Sequence, residues 1–149
     1  MIDFNDTAAF NRYIAAGSVY TTPSVLRHLS RATDKEIRSR VASNPNIPRD
    51  VVDILIRDIE VDVRIALSDN SAVSADYIEL FVQDESADVR FAVAEKFDTP
   101  SEVLLRLAAD ENPYVAMRAR KTYAKVNPHA AHELNEIITP PRAVRRHVG

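Results

Sequence analysis

The apolar positions of this chain follow a helical beat that recurs along its length. Val51, Val52 and Leu55 fall at i, i+1 and i+4, and the triplet returns 26 residues on as Tyr77, Ile78 and Phe81 and again as Val103, Leu104 and Leu107, with Val25, Leu26 and Leu29 one period earlier. Apolar residues three to four apart line one face of a helix, whereas strands alternate with period two. A turn residue stands before each triplet, with Pro48, Ser74 and Pro100 in register and Pro23 one place off. In the clearest copy Ser101 offers a cap, and Glu102 lies in the first turn, where the helix dipole favours an acid. A second helical stretch follows in each unit, carrying Val63, Ala66 and Leu67, or Val89, Ala92 and Val93, at i, i+3 and i+4. Asn44-Pro45, Asn70-Ser71 or Phe97-Asp98 closes it.

The pattern predicts one all-α domain over residues 1–149, with a capping helix in 1–21, four helical repeats in 22–125, a last helix in 126–138 and a basic tail in 139–149. Each repeat helix is shorter than the roughly 12 to 15 residues an isolated helix needs in water, so stability has to come from stacking. In the first segment Asp6 caps a helix whose Ala9, Phe10, Tyr13 and Ile14 cover the core edge of repeat one, and Gly17 ends it at the one place where φ > 0 is expected. Leu134, Ile137 and Ile138 mark the last helix.

Composition narrows the chemistry. Only two glycines occur, Gly17 and Gly149, which argues against glycine-rich phosphate loops and tight hairpins. There is no cysteine, so disulfides, thiolate metal sites and cysteine nucleophiles are excluded. Nineteen Lys and Arg against 22 Asp and Glu give a net charge of −3, and no global field draws the chain to nucleic acid or anionic lipid. The N-terminal residues lack a signal-peptide pattern and no apolar run reaches the roughly 20 residues of a membrane span, which makes a cytoplasmic location the default expectation.

The stretch Thr99 to Asp110, with Asp88 to Ala94 before it and the link Asn44-Pro45-Asn46-Ile47-Pro48, resembles the leucine-rich repeat variant family, which groups with HEAT and armadillo-like helical solenoids. The resemblance spans 22–125 and implies a right-handed superhelix of alternating short helices, one of which is 3₁₀ in some copies. The family's founding type carries a cysteine-bound iron–sulfur cluster. With no cysteine here, no cofactor carries over.

Two periodic features are candidate sites. Asp58 precedes Arg64 by six residues and Asp84 precedes Arg90 by six, while Asp110 is followed by Ala116. The similarity to HEAT proteins implies a structural ladder in which each arginine also meets the neighbouring repeat's acid, a role suited to a guanidinium fork. Direct ligand contact is the competing reading. The second feature is Ile65, Phe91 and Met117, one period apart, with Ser39 at that place in repeat one. At 100° per residue Ile65 lies about 200° round its helix from Val63, so the three form an outward apolar stripe unless neighbouring segments cover it. Arg64, Arg90, Arg118, Arg120 and Lys121 flank this stripe in the sequence and favour an acidic amphipathic partner.

Other constellations carry less. His129, His132, Glu133 and Glu136 share a helix face, a spacing that chance supplies easily, and no metal site is assigned. His28 reads as a partly packed histidine, and Arg142, Arg145, Arg146 and His147 as a solubilising end. The expectation is therefore a non-enzymatic module that binds a protein or peptide, as monomer or dimer. A nucleic-acid-binding HEAT-like protein and an accessory subunit of an enzyme are the alternatives, the latter requiring a pocket that unites His28 or His132 with a carboxylate.

Overall fold

The computed structural model describes residues 6–129 and Leu134. Among the described residues every regular element is helical. The chain divides into two compact units, Met1–Val93 and Ala94–Gly149, and each is taken by itself below.

The first unit opens with α1 (Thr7–Gly17), where the Asp6 carboxylate accepts from the Ala8 N–H at 2.9 Å. Two repeats follow as helix pairs, α2 (Pro23–Leu29) with α3 (Lys35–Ala42), and α4 (Arg49–Leu55) with α5 (Val61–Ser68). Pro23 at the first turn of α2 has a preset φ and no N–H to leave unpaired. Asp34 caps α3 by accepting from the Glu36 N–H. The third repeat begins with a 3₁₀ turn, Ala75–Tyr77, continues as α6 (Ile78–Val82) and leads into α7 (Ala87–Glu95), which runs past the unit boundary. Helices α1, α3 and α5 pack side by side in one layer, and α2 and α4 in the other.

The core lies between these layers. Leu26, Leu29, Val51, Val52, Leu55, Tyr77 and Phe81 enter it from the first helices, and Ile37, Val41, Val63, Leu67, Val89 and Val93 from the second. Val25 departs from the expected triplet, being 40% exposed where its counterpart Val51 is fully buried. No helix precedes α2 in its own layer to cover it, because α1 lies in the layer of α3.

α1 is also turned from the expected face. Ala9 and Ala16 are its buried residues, Tyr13 is half-buried, and Phe10 and Ile14 face outward. Small side chains let α1 approach α3 closely, and Arg40 of α3 lies across Gly17 and over the Tyr13 ring at 5.4 Å. Gly17 has no positive φ, contrary to expectation. Its missing Cβ leaves the space that the Arg40 guanidinium fills.

The second unit holds α8 (Ser101–Leu107) packed on α9 (Pro113–Val126), with Val103, Leu104, Leu107, Val115, Ala119 and Tyr123 buried. Asn112 caps α9, accepting from the Tyr114 and Val115 N–H groups. The expected last helix lies outside the described residues except for Leu134, which is helical and buried, and the basic tail lies wholly outside them.

Candidate interaction surface

The periodic arginines of the first unit are inward-facing. Arg38 grips Asp58 with Nε and Nη2 at 2.7 and 2.9 Å, and Arg64 grips Asp84 at the same two distances. Each fork thus reaches the acid of the following repeat, 20 residues on. Within a repeat, the arginine reaches the same acidic residue's main chain: Arg64 Nη1 donates to the Asp58 carbonyl at 2.7 Å and Arg90 Nη1 to that of Asp84 at 2.8 Å. The carboxylates have a third task, accepting from the Glu60 and Ser86 N–H groups at the entry to α5 and α7. Asp110 does the same for Asn112 in the second unit. Burial pushes the Asp58 carboxyl up, but the Arg38 fork and the Glu60 N–H outweigh it and hold the group below the ordinary aspartate range.

An asparagine ladder runs alongside, which the sequence reading took only as helix ends. Asn44 Nδ2 donates to the carbonyls of Ala16 and Ser18, and Asn70 Nδ2 to those of Ala42 and Asn44. Their Oδ1 atoms accept from the Asn46 and Ala72 N–H groups. One amide therefore closes its own turn while satisfying the carbonyl end of the preceding helix. The available signal was the 26-residue spacing of Asn44 and Asn70.

The outward positions are as follows. Ile65 and Phe91 are half-buried on α5 and α7, and Met117 is 46% exposed on α9. Their expected flanking cations are placed differently. Arg64 is 5% exposed and Arg90 8%, so burial in the ladder removes both from the surface. Arg120 donates Nε and Nη2 to the Ala108 carbonyl at 2.9 and 2.6 Å, closing the end of α8, while Arg118 pairs with Glu95 at 2.8 Å. On α5 the exposed residues three before and four after Ile65 are Asp62 and Asp69, and Asp88 stands three before Phe91. Lys121, four after Met117, is the exposed cation on α9. A shallow depression lined by Ser43, Asp62, Ile65, Ala66 and Asp69 runs beside α5.

His28 is exposed and lines a cavity that Asp34 also borders, but no hydrogen bond joins them and the Asp34 carboxylate is taken by the Glu36 N–H. No group of three or more metal-ligating side chains occurs among the described residues; His129 is exposed, and His132, Glu133 and Glu136 lie outside them. No described helix is long and apolar enough to cross a membrane.

Comparison with known proteins gives one family and no individual relative: no curated protein and no solved structure matches the chain. The family model described as leucine rich repeat variant matches residues 87–112, which take in α7, the link through Pro100, α8 and the turn to Asn112. From 87 to 112 is 26 residues, the period of the whole array. Residues 87–112 are thus a leucine rich repeat variant repeat, set in an all-helical chain.

Proposed function

We propose that the chain is a non-enzymatic binding module, a helical solenoid of four repeats that takes a protein or peptide on the outward face of its second helices. The observation that carries this reading is the large apolar residue at one outward position of successive second helices, Ile65 on α5 and Phe91 on α7, with Met117 at the same place on α9. Apolar side chains kept partly in water at a fixed period are what a repeat surface offers a partner. The buried Arg64–Asp84 rung supports it by fixing the spacing of such positions without using surface residues. The flanking charges on α5 and α7 are acidic, so a partner with basic residues beside its apolar anchors fits better than the acidic one the sequence favoured.

The nucleic-acid alternative loses support, since Arg64 and Arg90 are withdrawn into the ladder. The test is quantitative capture from nuclease-treated lysate on immobilised protein and on an Ile65→Ser/Phe91→Ser double variant. A protein retained by the first and lost by the second, with the variant still folded, is the expected outcome. Equal retention, or retention that vanishes with nuclease, would sink the reading.

A further inference from the structure

The cavity beside His28 measures about 460 Å³ and draws its lining from α1, α2 and α3. Its apolar lining includes Leu29 and Ile37, which are 3% and 1% exposed. Arg12 comes from α1, and Arg27, His28 and Arg31 from α2. These four are not equivalent. Asp50 holds Arg27 through Nε and Nη2 at 2.6 and 3.1 Å. Arg31 gives one Nη1 bond to the Arg27 carbonyl and has no salt bridge to a described carboxylate, and Arg12 has neither hydrogen bond nor salt bridge among the described residues. Asp34 is the one acid among the lining residues and already accepts from the Glu36 N–H.

Two guanidinium groups and an imidazole therefore converge on a concave wall with an apolar floor, and nothing in the first repeat neutralises the pair. Like charges gathered at a low-dielectric surface repel one another and concentrate a field that an anion relieves. A guanidinium fork matches phosphate oxygens, and a phosphate monoester carries about −1.5 to −2 at neutral pH, the complement of Arg12 and Arg31 together. A carboxylate offers half that charge. We propose that this cavity binds a phosphate monoester whose apolar body rests on Leu29 and Ile37, with the phosphoryl oxygens held by Arg12 and Arg31. The site is separate from the outward face of the second helices and stands or falls without it.

A free phosphoester and a phosphorylated side chain present the same group, so phenyl phosphate and a short phosphotyrosyl peptide are the two arms of the test. Each is titrated into the full chain and followed by NMR. Saturable shifts at the amides of Leu29, Thr33 and Ile37 and at the His28 ring are expected with at least one arm, and the tighter arm identifies the source. The Arg12→Ser/Arg31→Ser variant weakens binding by about tenfold or more, the loss expected of two charge-assisted contacts. Both side chains are exposed, so its unliganded melting stays close to that of the parent. Arg12→Ser alone serves as the second variant if the pair disturbs the end of α2. No saturable shift in either arm, shifts centred elsewhere, or undiminished affinity in the variants overturns the proposal. Inorganic phosphate binding as tightly as phenyl phosphate overturns the role given to the apolar floor.

Discussion

Asp58 shows how much one side chain does in this architecture. Its carboxylate takes the Arg38 fork and the Glu60 N–H, and its carbonyl takes Arg64, so a single residue ties three repeats of the register together. Arg38 and Asp58 side chains are 12% and 7% exposed, which puts the pair among ion pairs that are costly to break. Asp58→Asn keeps the backbone bonds and removes the charge, leaving a buried guanidinium uncompensated, and is expected to cost about 3 kcal/mol at neutral pH. The pH dependence has a definite sign. A carboxyl held lower in the folded chain than in the unfolded one contributes stability above the ordinary aspartate value of about 3.9, and that contribution is lost as pH falls through the native value. Urea unfolding from pH 6 down to about pH 2 should give a variant less stable at the top of the range and less sensitive to acid at the bottom. An unchanged acid limb would remove Asp58 from the set of groups that drive acid unfolding.

At the scale of elements, the helices were legible because their cause is local and repeated. A proline or capping residue, an apolar pair and a closing Asn recur every 26 residues, and α2 to α9 fall where that pattern puts them. What was not legible depended on neighbours. The face of α1 is chosen by its fit to α3 through Ala9 and Ala16, and a count of apolar residues prefers Phe10 and Ile14. The direction of the arginines is likewise invisible in spacing, because Arg64 next to Ile65 in sequence points into the ladder while Ile65 points away. Repeat three shows a local rule with a measurable consequence. Pro48 and Pro100 precede α4 and α8 with φ of −70° and −54°, and Ser74, in the same register, has φ −59° but is followed by a 3₁₀ turn. Its N–H enters no backbone hydrogen bond, and its hydroxyl accepts only a long 3.4 Å bond from Asp76. Ser74→Pro should therefore restrict the unfolded chain at little native cost, adding about 0.5 kcal/mol of stability and about 2 °C to the melting temperature. A lower melting temperature would mean that the third repeat's entry differs from its neighbours in more than its first residue.

For the whole molecule, the question raised by any repeat array is what closes its ends, since each repeat buries its core only against the next. At the N-terminal end α1 performs two jobs. Ala9 and Ala16 cover the side of α3 that α5 covers on its other flank, and the carbonyls of Ala16 and Ser18 receive the Asn44 amide just as those of Ala42 and Asn44 receive Asn70. α1 thus stands where a preceding second helix would stand, and it brings the acceptors such a helix would bring. Cutting the chain before residue 20 takes away both. Ile37 and Val41, now 1% and 0% exposed, would then border an open edge, and a buried Asn44 amide would lose two acceptors at about 1 kcal/mol or more. An edge of this kind invites pairing with a second copy of itself. The expected result is a truncated chain that melts lower and sediments as a concentration-dependent dimer or larger species, while the full chain at the same concentration does not show that increase. If the truncated chain stays at the mass of the full chain's species and melts within a degree or two of it, α1 is an appendage, and the end of the array is closed by α2 and α3 alone.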